Sequence, residues 1–341
     1  MHAAARTLLT ICLAFTGATG LAVATFVLQR DPYWVSTGEE IDRVRPALDT
    51  RTRFSKAVQL VVRAPRRVLV GSSTVYRGLD PAMIDDDVPT YNLGISSLRI
   101  LEARHFVRHA IRFAPVEEVV IGLDFFMFDA NRRFEPGFEP GLGGLDAGID
   151  IGFASVWSWH ALLDAWRTSD MGVPTDGVWR HNGHKYTFPR SAESNAALLE
   201  SAKREYAAMD PALGPGLADL EGLIALCAER EVRLRIFLTP VHASYRAAIA
   251  AAGREEDFSR WKASVLALAT RNGLVIADMA LANPTVDSPL AATTRYYIDP
   301  SHYSPLVGAA ILESLGLRVR RDVRDALARE GLLGIGKPTP G

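Results

Sequence analysis

Residues Val68–Gly78 read VLVGSSTVYRG. A short apolar run ends at Gly71, and two hydroxyl side chains, Ser72 and Ser73, follow where a surface turn should open. The same strand-then-turn pattern recurs in TYNLG (Thr90–Gly94) and EEVVIGLD (Glu117–Asp124). It returns in VRLRIFLTP (Val232–Pro240) and in GLVIADM, beginning at Gly273. Between these runs, Leu98, Leu101, Phe106, Val107, Ala110 and Ile111 share one helical face, and helices are predicted from about Gly216 to Arg230 and around Phe258 to Arg271. Strands alternating with helices predict a three-layer α/β fold: a parallel sheet of about five strands, flavodoxin-like, covered on both faces. Such sheets gather ligands at the carboxyl ends of their strands, where Gly71-Ser72-Ser73, Gly94, Asp124 and Thr239-Pro240 all fall.

The chain has 341 residues, 48% of them hydrophobic, enough for a sizeable core. Its 38 basic and 39 acidic side chains are interspersed, so no continuous basic field suits a nucleic-acid backbone. The two cysteines, Cys12 and Cys227, supply no disulfide framework, and Cys227 has the spacing of a buried helix face. No metal or other cofactor is expected: Asn182-Gly183 breaks any helix that would pair His181 with His184, and no cysteine or acid lies close to them.

Thr7–Gln29 is uncharged and bounded by Arg6 and Arg30, and about 20 apolar helical residues cross a bilayer core. Its length favours an uncleaved anchor. A secretory signal is the alternative, with Ala22-Val23-Ala24 as the cleavage site, although its apolar region usually runs only about 7–15 residues. Ile11 before Cys12 argues against lipidation. Arg6 places the amino terminus in the cytoplasm, hence a single-pass inner-membrane protein with a periplasmic domain. The expected organisation is an anchor or signal (1–30), a stalk (31–65), a domain (66–330) with an insertion (125–211) where the alternation fails, and a tail (331–341). The insertion carries Trp157, Trp159, Trp166 and Trp179; the first three are expected to form its small core, with stacking on sugar rings as the alternative.

A serine hydroxyl becomes nucleophilic when a base takes its proton and a third group holds that base. YYIDPSHYSPLVG supplies the pair: Asp299 and His302 flank Pro300 in one short turn, just before a helix starting near Pro305. With Gly71-Ser72-Ser73, this turn makes the chain resemble the SGNH, or GDSL-like, hydrolase superfamily, over roughly Arg66–Asp124 and Val232–Leu315. The resemblance implies Ser73 as nucleophile, His302 as general base and Asp299 orienting it. It further implies an oxyanion hole from the backbone N–H groups of Ser73 and Gly94, with Asn92 bracing the turn or contacting substrate. Gly-Ser-Ser and Thr239-Pro240-Val241-His242 resemble the membrane-anchored branches of polysaccharide O-acetyltransferases and teichoic-acid D-alanylation proteins. That likeness implies a polysaccharide substrate and a multispanning membrane partner as acyl donor.

One block departs from the family pattern. Gly122-Leu123-Asp124-Phe125 stands where Gly-x-Asn-Asp is usual, and an ionised Asp124 offers no oxyanion donor. Losing such a donor costs about 2.7–4 kcal/mol of transition-state stabilisation. Asp124 is therefore read either as a contact for a sugar hydroxyl or as an acceptor for the Gly-Ser-Ser turn. His242 is the rival base or a substrate contact, otherwise a surface residue; Arg77 either holds an anionic sugar or faces solvent. Three functions remain: serine-dependent acyl transfer or ester hydrolysis on an extracytoplasmic polysaccharide, a non-catalytic glycan-binding or scaffold protein of a polymer-export complex, and a lipid esterase, which would need a long apolar groove beside Ser73.

Overall fold

Nine strands lie among the described residues of the computed structural model, which are 2–36, 38, 43–134, 147–168, 176–210, 212–281, 287 and 295–336. They are β1 (Arg67–Gly71), β2 (Thr90–Gly94), β3 (Glu118–Leu123), β4 (Gly177–Trp179), β5 (Lys185–Thr187), β6 (Arg233–Leu238), β7 (Ile276–Asp278), β8 (Tyr297–Asp299) and β9 (His302–Tyr303). Five form one parallel sheet in the order β2-β1-β3-β6-β7. The expected α/β architecture with a five-stranded parallel sheet is the one observed.

Alternation along each strand divides the core. Val68 and Val70 of β1 and Val119, Ile121 and Leu123 of β3 face the helices Ile100–Phe113, Gly214–Glu229 and Glu255–Arg271. Leu69 and Val120 face the opposite layer, built by Ser73–Gly78, Pro305–Ser314 and Arg321–Arg329. Because the chain runs from β1 outward to β2 and then returns to β3 on the other side, strand order reverses between β1 and β3. A crevice opens at such a reversal, and Ser72-Ser73 and Asp124 stand at the carboxyl ends of these two strands.

The segment expected as a stalk is in part a core element. Helix Thr52–Arg63 buries Ala57 and Leu60 against the sheet, and Arg53 pairs with the buried Glu102 at 2.7 Å. Lys56 donates to the carbonyls of Asn92 and Gly183, each at 2.6 Å, joining the sheet edge to the insertion. The physical reason is an apolar stripe on this helix that would otherwise face water.

Within 125–211 lie the helices Ala147–Trp157, Trp159–Arg167 and Ala192–Ala207 and the antiparallel hairpin β4–β5. Most of the glycine- and proline-rich stretch before them lies outside the described residues, as does the end of the tail. The tryptophans do not form the expected small core: Trp157, Trp159 and Trp166 are exposed. Small residues, Ala161 and Ala165, take the buried positions instead, against Val27 and Tyr33. Helix His2–Arg30 is long and apolar enough to cross a membrane, and its first two thirds stand clear of the domain.

Candidate active site

The two serines of the opening stretch divide their work. Gly71 has φ +152°, and a Cβ there would lie 2.4 Å from the Val75 side chain and 3.0 Å from Gly122 O, so the strand can turn this sharply only at glycine. Ser72 caps the next helix, its Oγ accepting from Thr74 N at 3.2 Å and donating to Asp124 Oδ2 at 2.6 Å. Ser73, one residue on, turns its hydroxyl into a cavity of about 500 Å³.

His302 arrives from the far end of the chain on the β8–β9 turn. Asp299 Oδ1 accepts from the backbone N–H groups of Ser301 (2.9 Å) and His302 (3.0 Å) and from Ser301 Oγ (3.0 Å), an Asx-type turn that the Asp-Pro-Ser-His sequence favours. The imidazole lies between Asp299 and Ser73: Nδ1 is 2.8 Å from each Asp299 oxygen, and Nε2 is 2.8 Å from Ser73 Oγ. Glycines bring the two turns together. A Cβ on Gly308 would meet Gly78 O at 1.8 Å, and one on Gly78 would strike the Tyr303 ring at 2.0 Å. Helices Ser73–Gly78 and Pro305–Ser314 therefore cross at backbone contact distance, which larger residues would forbid.

Burial opposes ionisation of Asp299. The attraction and hydrogen bond of His302, the Ser301 N–H and the Arg190 guanidinium outweigh it and hold the carboxyl well below the usual carboxylate range. Arg190 Nε lies 3.3 Å from Asp299 Oδ2. This arginine comes from the insertion, just before helix Ala192–Ala207, and also lines the cavity. Nothing in the local sequence marks it; an arginine after Phe188-Pro189 reads as surface until the fold closes.

Asp124 has the opposite environment. It is buried at the end of β3 and accepts from Ser72, from Thr74 Oγ1 at 3.2 Å and from Thr239. Desolvation raises its pKa despite these three hydroxyl donors. The bonds it makes are those of an acceptor for the Gly-Ser-Ser turn. Around it the cavity has an aromatic wall of Phe125, Tyr206, Tyr245, Phe258 and Trp261 and a rim carrying Arg132, Arg190 and Glu205.

Of four further expected site residues, Asn92 keeps its bracing role and the other three sit differently. Asn92 is fully buried with its amide consumed: Nδ2 donates to Val75 O (2.9 Å) and Leu79 O (2.6 Å), and Oδ1 accepts from Gly94 N (2.8 Å). It braces the turn and has no capacity left for substrate. The same bond engages the Gly94 N–H, which is thereby withdrawn from an oxyanion hole; the glycine is needed instead because a Cβ would lie 2.6 Å from Tyr76 N. The Ser73 N–H opens its helix, where no intrahelical acceptor exists.

Arg77 is buried rather than solvent-facing, with Asp176 3.6 Å away, and does not line the cavity. Burial opposes its charge, and the attraction of Tyr76, Asp299 and Asp176 outweighs this and raises its pKa. His242 is likewise buried, not a surface residue, and it does not line the cavity that Ser73 lines. Its Nδ1 accepts from Ser244 N at 3.2 Å to cap helix Ala243–Ala251, and its ring stands edge-on to Tyr297.

No family model matches the chain, and no curated protein matches it. Among solved structures, it is similar to one from Streptococcus pneumonia provisionally described as a platelet activating factor, with 13% identity and a TM-score of 0.41, covering 78% of this chain and 91% of that one. A likeness of that degree says nothing of activity.

Proposed function

We propose that the protein is a serine-dependent acyltransferase or acyl-ester hydrolase of SGNH type, acting on an extracytoplasmic polysaccharide from the inner membrane. The observation that carries this reading is the unbroken chain Ser73 Oγ–His302 Nε2 and His302 Nδ1–Asp299, each link 2.8 Å, drawn from turns 229 residues apart. A serine placed only to cap a helix has no need of an oriented imidazole.

In the proposed reaction, Ser73 Oγ attacks the acyl carbonyl carbon while its proton passes to His302 Nε2. Asp299, kept ionised, holds the Nδ1–H tautomer and stabilises the imidazolium. The carbonyl π pair moves onto oxygen, beside the Ser73 N–H, then returns as the bond to the alcohol oxygen breaks; that oxygen takes the proton from Nε2. A sugar hydroxyl or water repeats the sequence on the acyl-serine and frees Ser73. An acyl group handed over by a multispanning membrane partner would make the reaction a transfer.

The second reading is a non-catalytic glycan-binding or scaffold protein. The engaged Gly94 N–H and the carboxyl of Asp124, in place of an amide donor, favour it. A fluorophosphonate probe decides between the two. The purified full-length protein should be labelled at Ser73 and Ser73→Ala should not; a folded wild-type protein left unlabelled would establish the binding module.

A further inference from the structure

The insertion leaves its largest aromatic side chains in the open beside the apolar amino-terminal helix. Trp159 is 69% and Trp166 78% exposed, with Phe153 and Trp157 also outward. A soluble surface seldom carries so many large apolar groups together without covering them. Their neighbour identifies the cover. Helix His2–Arg30 is exposed along its first two thirds, whereas its last third packs on the insertion. There, a Cβ on Gly20 would lie 3.1 Å from the Trp157 ring, Phe26 meets Trp166 at 6.5 Å between ring centroids, and Arg30 Nε donates to Ala165 O at 3.4 Å. Gly20 and Ala24 on one helix, and Ala161 and Ala165 on the other, repeat small residues four apart, the spacing that lets helices approach closely in lipid.

These contacts set depth along the helix axis. Gly20 is ten residues before Arg30, about 15 Å at 1.5 Å per residue, and Phe26 is about 6 Å before it. With the hydrocarbon core about 30 Å thick and the uncharged run bounded by Arg6 and Arg30, Trp166 falls at the headgroup boundary. Trp157 falls among the acyl chains. Charge follows the same order: Arg167 ends its helix on the Arg30 side, and Asp150 adjoins Ile151, which packs against the domain core.

We propose that helices Ala147–Trp157 and Trp159–Arg167 are a membrane-seated element, entering the leaflet on the domain side with Phe153, Trp157, Trp159 and Trp166 in lipid. The occupant of the aromatic face is the bilayer itself. The anchor is then part of the tertiary structure: cutting after Ala24 would take Val23 from the Val27–Ala161–Ala165 cluster and Gly20 from the Trp157 ring. The active-site mouth, whose rim includes Arg190 from the same insertion, is held at a set height above the surface.

The test is tryptophan quenching of the full-length protein in phosphatidylcholine–phosphatidylglycerol vesicles containing chain-brominated phosphatidylcholine. Three of the six tryptophans are at issue, so bromolipid should remove roughly half of the emission in wild type. In the variant with Trp157→Phe, Trp159→Phe and Trp166→Phe, which keeps apolar rings, most of that quenching should vanish. Emission indifferent to bromolipid would overturn the proposal, as would equal fractional quenching in the variant. A membrane-associated chain whose intact mass begins at Thr25 would overturn it too.

Discussion

Arg190 Nε stands 3.3 Å from Asp299 Oδ2, on the carboxylate that orients His302. The insertion thus reaches the site through a charge as well as through the wall it adds to the cavity. Asp299 already has donors from Ser301 and His302, so Arg190 is not required to satisfy it. Arg190→Gln should leave the thermal midpoint within about 2 °C, since a partly exposed pair contributes only about 0–1 kcal/mol. Its effect should appear in the rate of fluorophosphonate labelling at Ser73; an unchanged rate would make the pair incidental.

His302→Ala should slow labelling of Ser73 by about 10²–10⁴-fold, the range for loss of a positioned base. Asp299→Asn should fall in the same range because the amide favours the wrong imidazole tautomer. His242→Ala should label at the wild-type rate and lose about 1 kcal/mol of stability through its helix cap. Labelling kinetics beside urea unfolding of each variant check the assignment, and a slow His242→Ala would reverse the choice of base.

Asn92→Ala leaves Leu79 O and the Gly94 N–H without this buried partner, while Val75 O keeps the Leu79 N–H. A loss of about 3 kcal/mol or more is expected in urea unfolding, from about 1–3 kcal/mol for each buried group. If Asn92 held substrate instead, stability would stay and affinity would fall.

Gly308→Ala puts a methyl group onto Gly78 O. Overpacking costs about 1–3 kcal/mol, and relief by sliding the helix Pro305–Ser314 would carry His302 away from Ser73. Labelling should fall at least tenfold while circular dichroism stays native; full labelling would mean that the helix crossing does not set the distance from Ser73 to His302.

The folded-state pKa of Asp124 is raised by desolvation, so between the ordinary carboxylate value of 3.8 and that raised value the native state keeps a proton the unfolded chain has lost. Stability from this group therefore falls as pH rises through that window. Asp299 is depressed, so its contribution is present above the unfolded value and is lost only as pH falls toward its low folded value. Asp124→Asn should be less pH-sensitive than wild type above pH 3.8 in urea unfolding; parallel curves would show that Asp124 ionises normally.

Periodicity alone determined the sheet: the apolar runs ending at Gly71, Gly94, Asp124 and Pro240 can be buried on both faces only in a parallel α/β layer. The Asp-x-x-His turn was equally legible, because Asp299 and His302 meet through local backbone bonds. The sequence also held a membrane-length helix. What only the tertiary structure decided were the meetings of distant segments: Ser73 with His302, Arg190 with Asp299, the Gly94 N–H with Asn92 and the exposed tryptophans with the amino-terminal helix. Local pattern reports which face of a helix or strand is apolar. It carries no record of which remote backbone a glycine admits, or which buried carboxylate a lone arginine will find.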